Sequence, residues 1–266
     1  MALYGVIADI HGNREALGAA LRLLERRGAQ RLLCLGDVVG YNADPDECVA
    51  LVRESGALTI AGNHDLIGVG RLDFRRCSAK AEYSLKRTRR TLGRNSAAWL
   101  AGLPPHLSPE AGVVLVHGGV RDVQQYMVTP QHIRQNAAWL REDFPGARVC
   151  FFGHSHEQRA YEVEGEEVRQ LPVDNTVVLH REKTYFVNPG SIDASRKRDH
   201  KLAECALFDT DDWSIEFLRL PYDCAAVEAK AATFGYRITP GIERLYKLKA
   251  KWGRKANWGR TPFSPK

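Results

Sequence analysis

Asn63, His64 and Asp65 set an amide oxygen, an imidazole and a carboxylate in consecutive positions, directly after Gly62 and a short apolar run at 57–61. An amide oxygen can ligate a borderline metal ion, an imidazole can move a proton, and a carboxylate can orient that imidazole. Alone, such a tetrapeptide is an ordinary polar turn. The signature recurs, however: Asp9 and His11 flank Ile10, Asp37 follows Gly36, His117 precedes Gly118, and His154 and His156 stand in Gly153-His154-Ser155-His156. Each follows an apolar run, and five such signatures in order are far harder to produce by chance than one. A nitrogen and oxygen donor set without thiolates suits Mn, Fe, Zn, Co or Ni rather than an iron–sulfur cluster.

The elements that must position these groups are legible in outline. Residues 3–8 read as a continuous apolar strand. Residues 14–27 read as a helix, with Leu17, Leu21 and Leu24 on one face and Gly28 as its stop. A second strand, 32–35, ends in Gly36-Asp37. The next helix has Asp44 as N-cap, Pro45 at its first position and Glu47 in a capping-box-like arrangement. A third strand then leads to Asn63. This β-α-β-α-β order implies right-handed parallel crossovers and a helix-covered sheet. Its polar motifs lie at the carboxyl ends of the strands, where open α/β sheets bind ligands.

Strands at 113–116 and 149–152 end at His117 and His154, on either side of a helix begun by Thr129-Pro130. From Arg159 onward, short alternating strands at 161–163, 176–179, 185–187, 205–208 and 215–218 suggest a second, largely antiparallel sheet packed on the first. Residues 66–110 are rich in Arg and Lys and read as helical. A charge run is usually a solvated face, but over the site it would attract anionic substrates.

Composition narrows the class. The 266 residues are 44% hydrophobic and 26% charged, as in an ordinary globular protein. No apolar run approaches the roughly 20 residues needed to cross a bilayer, which argues against a membrane partner. Residues 1–10 lack a basic leader and read as a first strand, not a signal peptide. Six cysteines without a C-x-x-C pair point to a reduced, cytoplasmic compartment. The net charge is +6, but residues 247–266 carry seven Lys or Arg and no acid, which leaves −1 for residues 1–246. With Trp252 and Trp258 among its cations, this tail could stack on and neutralise nucleic acid. The commoner fate of such a segment is a solvated or loosely docked end.

In order, D-x-H at 9–11, G-D at 36–37, G-N-H-D at 62–65, H-G at 117–118 and G-H-x-H at 153–156 resemble the motif set of the calcineurin-like metallophosphoesterase superfamily. The resemblance covers roughly the first 220 residues. It implies an α/β fold, a two-sheet β-sandwich flanked by helices in four layers, α/β/β/α. Residues 1–246 would form a single domain with 66–110 as a helical insertion near the site, and 247–266 a basic C-terminal tail. It also implies a dinuclear centre. Asp9, His11 and His156 would hold one divalent transition-metal ion, Asn63, His117 and His154 a second, and Asp37 would bridge both. Mn is the first expectation, with Fe, Zn, Ni or Co as alternatives.

Two dications outweigh Asp9, Asp37 and a bridging hydroxide, and so leave a net positive hole for a phosphoryl oxygen. That hydroxide would attack phosphorus in line while His64, positioned by Asp65, protonates the leaving oxygen. Asn188-Pro189-Gly190-Ser191 resembles the N-P-G-S loop of the bacterial phosphodiesterase-like branch, which continues to an arginine matched here by Arg196. In this chain Asp193 and Ser195 replace the small residue and proline usual there. Gly40-Tyr41-Asn42 stands where protein Ser/Thr phosphatases carry a phosphate-gripping arginine. This counts against that branch and makes Tyr41 and Asn42 the candidate substrate contacts beside Arg196. The implied activity is phosphoester hydrolysis, as a phosphodiesterase or phosphatase. The alternatives are a nuclease or nucleic-acid-end phosphatase using the tail, and a non-catalytic scaffold of the same fold.

Overall fold

A computed structural model describes residues 2–174, 176–194 and 200–257, with side chains described as far as residue 248. The elements follow in chain order: β1 (Leu3–Ile7), α1 (Arg14–Arg26), β2 (Arg31–Cys34), α2 (Pro45–Glu54), β3 (Leu58–Thr59), α3 (Asn63–Gly68), α4 (Ala79–Thr91), α5 (Arg94–Ala101), β4 (His106–Leu107) and β5 (Val113–Val116). They continue with α6 (Pro130–Asp143), β6 (Val149–Phe151), β7 (Gln158–Glu164), β8 (Glu167–Leu171), β9 (Thr176–Val178), β10 (Thr184–Pro189), β11 (Ala203–Asp209), β12 (Ser214–Leu220), α7 (Cys224–Thr233) and α8 (Pro240–Asn257).

Local chemistry explains where the helices begin. The Asn13 side chain accepts from the Ala16 amide at 3.0 Å and so caps α1. The helix then buries Ala16, Leu17, Ala20 and Leu24, a stripe at helical spacing. Burying each leucine contributes about 1.5–3 kcal/mol. At α2, Pro45 occupies the first turn, but Asp44 makes no side-chain cap bond. Its carboxylate instead takes the Lys230 ammonium at 2.8 Å, which Glu15 shares at 2.6 Å. A charged partner from α7 outcompetes the neutral backbone amide for that carboxylate.

The two sheets have strand orders β3-β2-β1-β11-β12-β9 and β4-β5-β6-β10-β7-β8. In the first, β1, β2 and β3 run parallel, in register Tyr4↔Arg31 to Ile7↔Cys34, and β11 pairs antiparallel with β1. In the second, β5, β6 and β10 run parallel and β7 antiparallel to β10. The expected division into one parallel and one antiparallel sheet is therefore corrected: each sheet joins a parallel half to an antiparallel half. The early strands would otherwise expose unpaired edges, and β11 and β10 cover those of β1 and β6. Period-two alternation reveals which face of a strand is buried, not which sheet it joins.

Tyr4, Val6, Leu33, Leu115, Phe151, Tyr185 and Phe208 fill the space between the sheets. α1 and α2 cover the outer face of the first sheet, and α6 covers that of the second. The result is a four-layer α/β/β/α sandwich. The chain then returns through α7 and α8, with the Tyr236 hydroxyl 2.9 Å from Thr91 of α4. The expected boundary at residues 246 and 247 falls inside α8. Arg196, the Trp252 side chain and Trp258 lie outside the described residues. Among the described residues no helix is long and apolar enough to cross a membrane.

Candidate metal centre

Asp9, His11, Asp37, Asn63, His117, His154 and His156 come from five strand tips, three in the first sheet and two in the second, and all are buried. Three overlapping groups place ligand-type atoms within 4.8 Å of one another: Asp9, His11 and His156; His11, Asp37 and His64; and Asp37, His117 and His154. The Asp37 Oδ2 oxygen lies 3.8 Å from His11 Nε2 and 3.4 Å from His117 Nε2, so one carboxylate oxygen faces both flanks of the cluster. Its Oδ1 accepts from the His64 amide at 2.7 Å. Asn63 Oδ1 lies 3.0 Å from His117 Nε2.

The backbone at these tips is unusual. Asp9, His11, Asp37, His154 and His156 all have φ between 53° and 65°; among the described residues the one other non-glycine with positive φ is Trp213, at 48°. Left-handed conformations cost such residues about 1–3 kcal/mol each and persist only where the surroundings enforce them. Here the enforcement is visible. The amides of Asp9, Ile10 and His11 donate to the carbonyls of Gly36 and Asp37, which straps the β1 tip to the β2 tip. The Gly153 amide donates to His117 O at 2.8 Å and joins the β6 and β5 tips. A Cβ on Gly62 would overlap the Asp37 carboxylate, so this crossing of β2 and β3 requires glycine.

The 188–194 loop ties the sheets together. Asn188 Nδ2 donates to Gly153 O at 2.8 Å and to Ser155 Oγ at 3.0 Å. Ser191 Oγ and the Asp193 amide both donate to Asp9 O at 3.0 Å. In this segment the N-P-G-S residues brace the strained turns of Asp9 and His154.

Ring orientation suits cation binding. His117 Nδ1 lies 2.7 Å from the Leu35 carbonyl and His11 Nδ1 3.3 Å from that of Val39. A nitrogen facing a carbonyl must carry the proton, which turns each Nε2 lone pair into the cluster. There His11 Nε2 meets His156 Nε2 at 3.0 Å. Two imidazole nitrogens so close repel unless one is protonated or both face a shared cation. Among the protein's own groups, burial pushes the His117 imidazolium down, but the Asp37 carboxylate outweighs it and lifts the group to about 9. Burial likewise pushes the Asp37 carboxyl up, yet the imidazoles of His117, His64 and His11 hold it well below the usual range. The cluster thus seeks positive charge, and its oxygen and imidazole donors fit divalent transition-metal ions.

His64 is buried at the start of α3, its ring 4.6 Å from that of His11 and 4.8 Å from that of Tyr41. Asp65, expected to orient that ring, spends its carboxylate elsewhere. Oδ1 accepts from the Val39 amide at 3.1 Å and Oδ2 from the Gly62 amide at 3.0 Å. It holds the loops beneath His64 together instead. Burial, then the nearby Asp37 charge, raises its carboxyl to about 7 against these two bonds.

Asn42 is also turned inward. Its Nδ2 donates to His11 O at 3.1 Å and its Oδ1 accepts from Arg237 at 2.9 Å, so it braces the His11 turn rather than facing a substrate. Arg237 also donates to Tyr41 O at 2.8 Å. The Tyr41 ring remains in the cleft wall, 4.7 Å from that of His11.

The cleft over the cluster measures about 230 Å³. Arg76, Cys77, Ser78 and Ala81 line it from the helical segment, and Gln124 and Tyr126 from the stretch after His117. Sequence reasoning singled out neither Gln124 nor Tyr126. Their one signal was position, in an irregular stretch directly after a motif-bearing strand tip.

A helix-covered double sheet with buried aspartates and histidines converging from five strand tips is the architecture of a metallophosphoesterase. The sequence pattern of the calcineurin-like phosphoesterase superfamily domain matches residues 2–213, and the chain belongs to that superfamily. It is 30% identical over 227 residues to an uncharacterized protein of Methanocaldococcus jannaschii, covering 84% of this chain and 88% of that one. A metallophosphoesterase from Sphaerobacter thermophilus shares the fold with a TM-score of 0.74 at 24% identity, over 92% of this chain and 98% of that chain. A protein of Pyrococcus horikoshii, described as hypothetical, does so with a TM-score of 0.68 at 19% identity, over the same shares.

Proposed function

We propose that the protein hydrolyses phosphoesters, as a phosphodiesterase or phosphatase, with a pair of divalent metal ions. Asp9, His11 and His156 would hold one ion, Asn63, His117 and His154 the other, and Asp37 both. The observation that carries this reading is the coincidence of ligand chemistry with backbone strain: five candidate ligand residues hold left-handed conformations at the point where their side chains converge. Ions bound there supply Lewis acidity and lower the pKa of water towards neutrality.

The chain's own residues do the rest. His64, which lines the cleft, would give a proton to the leaving oxygen, a contribution typically worth about 10²–10⁴-fold. Asp65 fixes the loops that carry His64, through the amides of Gly62 and Val39. Tyr41 lines the cleft over the cluster beside His64.

The test is to strip the protein with a chelator, reload it with Mn, Fe, Zn, Ni or Co, and assay matched aryl phosphate monoesters and diesters. Metal-restored hydrolysis of one ester class supports the reading and names the class. Two bound ions with no hydrolysis of either class would leave a non-catalytic scaffold in its place.

A further inference from the structure

Gln124 and Tyr126 have no part in the proposed hydrolysis, yet both line the cleft. Tyr126 is 44% exposed, unusual for a large ring beside a buried cluster, and packs at 4.2 Å and 37° on the ring of His154. Gln124 is only 9% exposed, and its side-chain amide has no hydrogen bond among the described residues, although its backbone groups are engaged. The carboxamide opens onto the cleft, where its N–H and C=O are available to a ligand seated there.

The loop that presents the pair is held from outside. Arg76 Nη1 donates to both oxygens of Asp122 at 2.8 Å, and Nη2 donates to Gln124 O at 2.7 Å. The guanidinium is neutralised by that contact, so this wall offers an aromatic face and a hydrogen-bonding edge rather than spare charge. A second phosphate or an acidic chain gains little there. A flat heterocycle gains both a stacking partner and an amide that can donate and accept along its edge, the two elements by which proteins bind an unstacked base.

We infer that Tyr126 and Gln124 form a nucleobase subsite, and that the phosphoester substrate is a nucleotide whose base stacks on Tyr126 while its phosphoryl group lies over the Asp37 cluster. The inference rests on the phosphoesterase reading for the second half of that pose.

The test is calorimetric binding to the Mn-loaded full-length protein. The probes are non-hydrolysable 5′-methylene phosphonates of adenosine, guanosine, cytidine and uridine, with that of ribose and inorganic phosphate as controls. At least one nucleoside phosphonate should bind ten times or more tighter than the ribose one. Tyr126→Ala should weaken that ligand about 5- to 150-fold, the range for loss of one base stack, while weakening the ribose phosphonate far less. Tyr126→Phe should restore the difference, and Gln124→Leu should change the ranking among bases. If all nucleosides bind within threefold of ribose, or Tyr126→Ala weakens every probe equally, the subsite is refuted while the phosphate site stands. If ribose phosphonate and inorganic phosphate fail to bind as well, the phosphoesterase reading falls and takes this inference with it.

Discussion

Asp37→Asn isolates the charge of the shared carboxylate while keeping its shape and one oxygen. The Asp37 Oδ2 atom lies 3.4 Å from His117 Nε2 and 3.8 Å from His11 Nε2, the two nitrogens it would share with the two ions. At the shorter separation and an effective dielectric constant of 20, one negative charge interacts with each unit of positive charge by about 5 kcal/mol. The carboxamide oxygen returns part of this by staying a ligand, so a net loss of about 3 kcal/mol, or roughly 10²-fold in affinity for the weaker ion, is the expected minimum. The assay is metal content by plasma emission after gel filtration in metal-free buffer, followed by calorimetric reloading. Wild type should retain two ions per chain and the variant one or none, with unchanged circular dichroism. A variant that keeps two ions, each within threefold of the wild-type dissociation constant, would refute the argument that one carboxylate serves both positions.

Three further outcomes follow from the same geometry. His64→Ala should keep both ions and lose activity about 10²–10⁴-fold on esters with poor leaving groups, far less on good ones; loss of an ion would make His64 a ligand, as its grouping with His11 and Asp37 permits. Arg237→Ala removes two bonds to the 41–42 turn, so steady-state kinetics on an aryl phosphate should show a larger change in KM than in kcat, with Arg237→Lys rescuing only partly because lysine cannot form the fork. Glu162, buried on β7, takes Lys183, Arg169 and Tyr185; burial alone would raise its carboxyl, but these partners hold it below the usual range. A depressed carboxyl stabilises the fold above its unfolded pKa and loses that contribution as pH falls through its folded value. Glu162→Gln should therefore cost roughly 1–3 kcal/mol at pH 7, and in thermal melts the gap should close below about pH 4.

The sequence disclosed the cluster because its members are short motifs at the ends of apolar strands, and strand ends are where chain reversals bring distant residues together. It disclosed less about partners. Asp9-x-His11 and His154-x-His156 have the same spacing, yet Asp9 and His11 group with His156 while His154 groups with His117. That division depends on which tip each residue occupies, which spacing does not encode. The same limit applies to β7 and β9–β12, whose alternation marked them as strands but not as members of two sheets. The bonds of Asp65 and Asn42 escape the motif for a different reason. A carboxylate or carboxamide beside a reactive ring competes among all nearby donors, and here the amides of Gly62 and Val39 and the guanidinium of Arg237 won. Arg237 itself lies beyond the residues matched to the family and follows no motif.

The geometry of the cluster belongs to the interlock of the two sheets more than to any one strand. Asp9, His11, Asp37 and Asn63 leave the first sheet, and His117, His154 and His156 leave the second. The amide of His154 donates to both oxygens of Asp9, at 3.2 and 3.0 Å, so a backbone group from one sheet fixes a carboxylate from the other. Ser191 and Asn188 then hold the turns on either side. Left-handed backbone at five positions costs about 1–3 kcal/mol each, and protein-to-protein bonds hold the turns of Asp9, His11, Asp37 and His154 before any ion arrives. A centre built this way is preorganised. A cation entering it meets ligands already in place, and the cost of arranging them has been met during folding, where the large buried core between the sheets can offset it.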